Sequence, residues 1–170
     1  ACVTDDKLRD SERSFQLYRY WPQGFNPCAE QPLHSKEVCC LSEIFLPNID
    51  SEQELEQCLI MCYTICKHAL NIGCPNEPET EKIVKTNQRI GMSLSGYSLV
   101  SDTKLEWAHS MREKLYDHDL EYSTEMKWYP SIALTTIKPS GTISKLAGIA
   151  GPGIHVPVSQ YQKRRIRISK

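Results

Sequence analysis

The stretch GFNPCAEQPLHSKEVCCL, residues 24–41, brings together three groups that do chemistry: the amide of Asn26, the thiol of Cys28 and the carboxylate of Glu30. Pro27 biases Asn26 away from the helical region, so the segment reads as an extended loop. In extended chain, positions i, i+2 and i+4 project from one face. A hydrogen-bonding amide, a sulfur that reacts as a nucleophile or by one electron, and a base would then share one finger. Eleven residues beyond Cys28 stands Cys39, with Cys40 beside it. The plain alternative is a polar loop with a chance cysteine. Cysteine-protease chemistry would require a histidine base beside the thiol. His34, His68, His109, His118 and His155 are available, and no local signature selects one of them.

A second candidate is KPSGTIS, residues 138–144. Read as a loop between a strand and a helix start, it lets a ligand approach the backbone at Gly141. Thr142, Ile143 and Ser144 would present N–H groups at the positive end of a helix, which suits a phosphate. Ser140 and Thr142 add hydroxyls. An ordinary strand-to-helix turn has the same appearance. The glycine-rich Ala147–Pro157 that follows carries no individual role on sequence grounds. Lys163, Arg164, Arg165 and Arg167 read as a solvated strand edge.

The elements that must position these groups follow from pattern and punctuation. CLSEIFLP, residues 40–47, reads as a strand. Ser51-Glu52-Gln53-Glu54 is a capping box that opens a helix closed by Gly73. On that helix Cys58, Cys62 and Cys66 recur every four residues among Leu55, Leu59, Ile65, Ala69 and Leu70, and so read as small core residues. Pro78 starts a second helix running to Asn87. Arg89–Gly96 is a short strand, Lys104–Tyr116 a helix with Leu105, Ala108, Met111 and Leu115 on one side, and Ile132–Ile137 a further strand. Residues 1–25 show no clean period. Strands separated by helices predict an α/β architecture with at least part of a parallel sheet.

Composition narrows the function classes. The 170 residues are 40% hydrophobic and 24% charged with a net charge of −1, which gives no bulk electrostatic case for a nucleic-acid polymer or an acidic membrane. No apolar run approaches the roughly 20 residues of a spanning helix, and no secretory leader is legible, so the expectation is a cytoplasmic chain. Eight cysteines in that setting argue for free thiols or chemistry rather than a disulfide framework. No C-x-x-C occurs, so no metal is expected. The start at Ala1 and the alternation Arg165-Ile166-Arg167-Ile168 near the end suggest a piece of something larger.

Taken together, NPCAEQPLHSKEVCCLSEI, NQRIGMSLSG, TTIKPSGTISKLAGIAGPGIH and RRIRIS resemble the ribonucleotide reductase large chain, over residues 24–170 with gaps and least in residues 1–23. The Cys-Cys-Leu ending looks most like the monomeric adenosylcobalamin-dependent triphosphate reductases. The resemblance implies an α/β fold, part of a ten-stranded barrel with a central finger loop. Residues 1–170 would be the C-terminal part of that barrel, with 24–41 the finger loop and 137–148 a phosphate-binding loop and helix. It also implies that Cys28 becomes a transient thiyl radical, Glu30 accepts the 3′-hydroxyl proton, Asn26 holds the ribose hydroxyls, and Cys39 is half of a reducing dithiol. Pro139, Ser140, Gly141, Thr142, Ile143 and Ser144 would hold the substrate phosphates. The implied reaction reduces ribonucleotides to 2′-deoxyribonucleotides for DNA synthesis, with adenosylcobalamin as radical source and a thioredoxin-like electron donor. Cys2 lies in surroundings unlike the family's partner-thiol strand, and Cys40 would face away from Cys39. The partner thiol is therefore expected in missing segments of the same reductase. The alternative is an inactive fragment or assembly module of a split reductase that needs a partner chain.

Overall fold

The computed structural model describes residues 22–149, 151, 153–156 and 168. The expectations for Cys2 and for the basic run 163–167 lie outside the described residues.

Strands β1 (Gly24–Phe25) and β2 (Pro32–Leu33) pair antiparallel, Gly24 opposite Leu33 and Phe25 opposite Pro32. A parallel unit follows. Strand β3 (Leu41–Phe45) leads through helices α1 (Glu52–Ile72) and α2 (Pro78–Asn87) to strand β4 (Gly91–Ser95). The two strands run parallel from Leu41 opposite Gly91 to Phe45 opposite Ser95. Helix α3 (Asp102–Met126) then returns the chain to the other side of β4, and a single turn, α4 (Ile143–Leu146), follows. Parallel neighbours joined by helical crossovers are the α/β arrangement that the alternating pattern predicts.

The return segment corrects the expected strand Ile132–Ile137. Its regular pairing contracts to one parallel bridge, Met92 with Thr135. Flanking hydrogen bonds run from Ile90 N–H to Ala133 O at 2.9 Å and from Thr136 N–H to Met92 O at 2.9 Å. The Lys138 N–H turns instead to the Ser93 hydroxyl at 2.9 Å, which ends the ladder.

Helix α1 starts as its capping residues dictate. Ser51 Oγ accepts the Glu54 N–H at 3.2 Å, while the Glu54 carboxylate reaches back to the Asp50 N–H at 2.7 Å, one residue earlier than in a regular capping box. Its buried stripe runs through Leu55, Leu59, Tyr63, Cys66, Lys67 and Leu70. Ile65 and Ala69, expected on that face, are exposed, because Tyr63 and Lys67 turn the stripe away from them. Cys58 and Cys62 pack at the margin of the core. Helix α3 runs ten residues past the expected end at Tyr116. Its buried positions beyond that point are the polar Asp119 and Ser123, which no apolar period reveals.

Those polar residues are paired. Lys67 Nζ donates to Asp119 Oδ1, to Ser131 Oγ and to the Tyr129 carbonyl, each at 2.9 Å. Tyr63 OH donates to Asp119 Oδ1 at 2.9 Å, and the Ser131 N–H donates to Oδ2 at 2.8 Å. Burial opposes the charge on Asp119. The Lys67 ammonium and the Ser131 donors outweigh it and hold the carboxyl below its ordinary value. The cluster ties α1 and α3 to the segment that leads into the third parallel position. No helix among the described residues is long and apolar enough to cross a membrane.

Candidate active site

The loop joining β1 to β2 is a tight turn rather than the extended finger expected. Ala29 takes a left-handed conformation, its N–H bonds the Asn26 carbonyl at 2.8 Å, and the Asn26 N–H bonds the Gln31 carbonyl at 3.1 Å. Asn26 also closes the turn with its side chain, since Oδ1 accepts the Gln31 N–H at 3.0 Å. Alternation therefore does not set where the three groups point. Asn26 is buried, Cys28 stands exposed at the tip, and Glu30 is half-buried with carboxylate oxygen Oε2 buried and without a partner.

Asn26 has a second task. Its Nδ2 donates to the Cys39 sulfur at 3.3 Å, joining the turn to a thiol thirteen residues away. Partial burial pushes the Cys39 thiol above its ordinary value, the Asn26 hydrogen bond pulls it down, and the charge of Glu30 adds to the rise. Cys28 and Lys138 also act on it, so Asn26, Cys28, Glu30, Cys39 and Lys138 share one neighbourhood. Cys40 is turned elsewhere. Its sulfur lies 3.9 Å from the Cys66 carbonyl, and the hydrogen bond with Cys66 together with burial pushes its thiol up.

Two contacts seat the hairpin on the sheet. The Thr136 hydroxyl donates to the Glu30 carbonyl. Gly91 leaves room beneath Gln31 and Thr136, since a Cβ there would come within 2.6 Å of Leu41 and 3.1 Å of Gln31 Nε2. A buried ion pair holds the chain just after the hairpin. Arg89 Nε donates to Glu37 Oε1 at 3.0 Å, Asn87 Nδ2 to the same oxygen at 2.9 Å, and the His34 N–H to Oε2 at 2.8 Å.

The phosphate-loop candidate sits at the carboxyl end of the third parallel position, where open parallel sheets bind ligands. The left-handed residue there is Ser140 rather than Gly141, and Ser140 is 4% exposed with a hydroxyl that has no partner. A Cβ on Gly141 would meet nothing within 4 Å, so that side of the loop is open. Thr142 precedes α4, and Ser144 Oγ donates to the Gly141 carbonyl at 2.9 Å. Lys138 Nζ donates to Glu43 Oε2 at 3.1 Å, and Ser95 Oγ donates to Glu43 Oε1.

Sequence reasoning gave no role to Glu37, Arg89, Glu43 or Lys138. An ionisable residue inside or next to an apolar strand was the available signal: Glu43 stands in LSEIF, and Arg89 lies two residues before the strand that starts at Gly91.

No family model matches the chain. Among curated proteins it is similar to the probable adenosylcobalamin-dependent ribonucleoside-triphosphate reductase of Dictyostelium discoideum, 40% identical over an alignment of 153 residues that covers 86% of this chain and 20% of that protein. It is 35% identical over 152 residues to the adenosylcobalamin-dependent ribonucleoside-triphosphate reductase of Euglena gracilis, covering 86% of this chain and 21% of the relative. A Lactobacillus gasseri enzyme of the same name is 30% identical over an alignment of 181 residues, gaps included, that covers 87% of this chain and 24% of that one. In fold, the chain is similar to the crystal structure of a B12-dependent (class II) ribonucleotide reductase, with a TM-score of 0.58 and 24% identity over 79% of this chain and 23% of the other. Over most of its length the chain is similar to adenosylcobalamin-dependent ribonucleoside-triphosphate reductases, and it spans about a fifth of the length of the curated relatives it matches.

Proposed function

We propose that this chain is the part of a ribonucleotide reductase catalytic chain that carries the substrate-facing thiol, and that the whole enzyme reduces ribonucleoside triphosphates to 2′-deoxyribonucleotides. The observation that carries this reading is the Asn26 amide, which closes the turn beneath Cys28 and holds the Cys39 sulfur at 3.3 Å. In the complete fold, residues 1–170 are the C-terminal part of a ten-stranded α/β barrel. The three parallel positions are consecutive strands of that barrel, 24–41 is its finger loop, and 137–148 is the phosphate loop and helix.

Cys28, after losing its hydrogen, takes the 3′ hydrogen of the ribose. The S–H bond and the activated C–H bond are similar in strength, so the exchange runs in both directions. Glu30 accepts the 3′-hydroxyl proton as general base, a role supported by its unpartnered Oε2. Asn26 spends one N–H on Cys39 and one lone pair on Gln31, which leaves one donor and one acceptor for the ribose hydroxyls. The 2′-hydroxyl departs as water while Cys39 and a second thiol supply two electrons and two protons and close to a disulfide. Cys40 does not suit the role of second thiol, because it is turned to Cys66. That thiol comes from the remainder of the reductase, and a thioredoxin-like dithiol reopens the disulfide. Adenosylcobalamin, named for the relatives, would supply an organic radical able to take the hydrogen of a thiol. Cys28 fits that demand, being exposed at the tip of the turn. Residues 139–144 receive the phosphates, supported by the open side of Gly141 and the unpartnered Ser140 hydroxyl.

The test is Cys28→Ser in the complete enzyme. A hydroxyl keeps the shape, but its O–H bond is far stronger than S–H, so deoxynucleotide formation should vanish while circular dichroism and melting stay unchanged. Product at more than a trace rate would refute the radical assignment.

A further inference from the structure

Lys138 is fixed by its backbone and open at its side chain. Its N–H bonds the Ser93 hydroxyl at 2.9 Å, and its carbonyl lies against Gly153, where a Cβ would come within 2.5 Å of it. The ammonium donates to Glu43 Oε2 at 3.1 Å and makes no other hydrogen bond among the described residues, although it has three donors. Glu43 cannot follow a moving partner. Its side chain is 3% exposed, and its other oxygen takes the Ser95 hydroxyl. The Lys138 side chain is 25% exposed and reaches solvent. Two residues further on stands the buried Ser140 hydroxyl with no partner. An ammonium with two unspent donors and an unpartnered buried hydroxyl in one loop both suit a guest that carries several anionic oxygens.

We propose that Lys138 is a binding residue for the substrate's polyphosphate, and that Glu43 sets how many charges that polyphosphate must carry. The proposal rests on the reductase reading of the loop. Glu43 neutralises most of the cation's field, so a diphosphate, which is shorter and carries one negative charge fewer than a triphosphate, gains less by approaching. A triphosphate carries enough charge to share the ammonium with the carboxylate and use its free donors. Discrimination then comes from a built-in competitor as well as from attraction.

The complete reductase is assayed as wild type, Lys138→Arg, Lys138→Met and the double variant Glu43→Gln/Lys138→Met. KM and kcat are measured with a ribonucleoside triphosphate and with its diphosphate. Lys138→Met leaves a buried carboxylate without its cation, so its melting temperature should fall, whereas the double variant removes both charges and should melt like wild type. The double variant should still raise KM for the triphosphate about tenfold or more, the size of a lost hydrogen bond to a charged group, with kcat held and the diphosphate KM moved less. Lys138→Arg should keep the triphosphate preference. A double variant with wild-type stability and wild-type KM for both nucleotides would overturn the proposal and reduce Lys138 to a partner for Glu43. A wild-type enzyme that forms no deoxynucleotide would overturn the reductase reading instead.

Discussion

At the scale of single residues, Asn26 does the most with the least. One amide closes the turn, fixes Cys39 and retains a donor and an acceptor. Its hydrogen bond favours the Cys39 thiolate, so Asn26→Ala should move the Cys39 thiol further up. The pH profile of Cys39 alkylation, mapped by mass spectrometry, should shift to higher pH in the variant, and an unchanged profile would contradict the contact. In the wild type Cys39 should be labelled faster than Cys62, since Cys39 is exposed and Cys62 is half-buried on α1, where burial pushes its thiol up. At the loop, Gly141→Val fills an open face where Ser140→Ala removes one hydroxyl. The first should raise KM more than the second, and equal effects would argue against close backbone approach of the substrate.

At the scale of elements, buried charge pairs hold what the sheet alone does not. The Lys67–Asp119 pair is fully buried and bonds α1, α3 and the residue 131 segment together. Removing one partner, as in Asp119→Ala, should cost about 3–5 kcal/mol, read as a lower melting temperature. Asp119 is held below its ordinary value, so its contribution is present above the usual carboxylate range of about 3.9. It is lost as pH falls through the depressed value. Asp119→Asn should therefore lose stability at neutral pH and converge on the wild type in acid. The strands at 41–45 and 91–95 and helices α1 and α2 were legible in the sequence, because capping residues, glycine and proline mark their ends. The second half of α3 was not, since its inward positions are polar. The turn at Asn26 was misread because Pro27 constrains the Asn26 backbone and says nothing of its side chain, which closes the loop. Ion pairs whose partners lie 52 or 95 positions apart, Arg89 with Glu37 and Lys138 with Glu43, leave no local pattern at all.

At the scale of the whole molecule, the proposed site sits on an open sheet and supplies one half of the proposed redox pair. Strand β3 has a neighbour on one side only among the described residues, and parallel sheets are stable when both faces and edges are covered. The relatives extend over roughly five times the span matched here. The chain should therefore turn over only as part of the larger enzyme. The most direct measurement is deoxynucleotide production from a ribonucleoside triphosphate with adenosylcobalamin and a dithiol reductant. It is run on the 170-residue chain alone, on the chain with the complementary reductase segments, and on that assembly carrying Cys28→Ser. Product should appear in the second case alone. Multiple turnovers by the chain alone would contradict the need for a second thiol from the remainder of the reductase, and multiple turnovers by the Cys28→Ser assembly would contradict the radical role of Cys28.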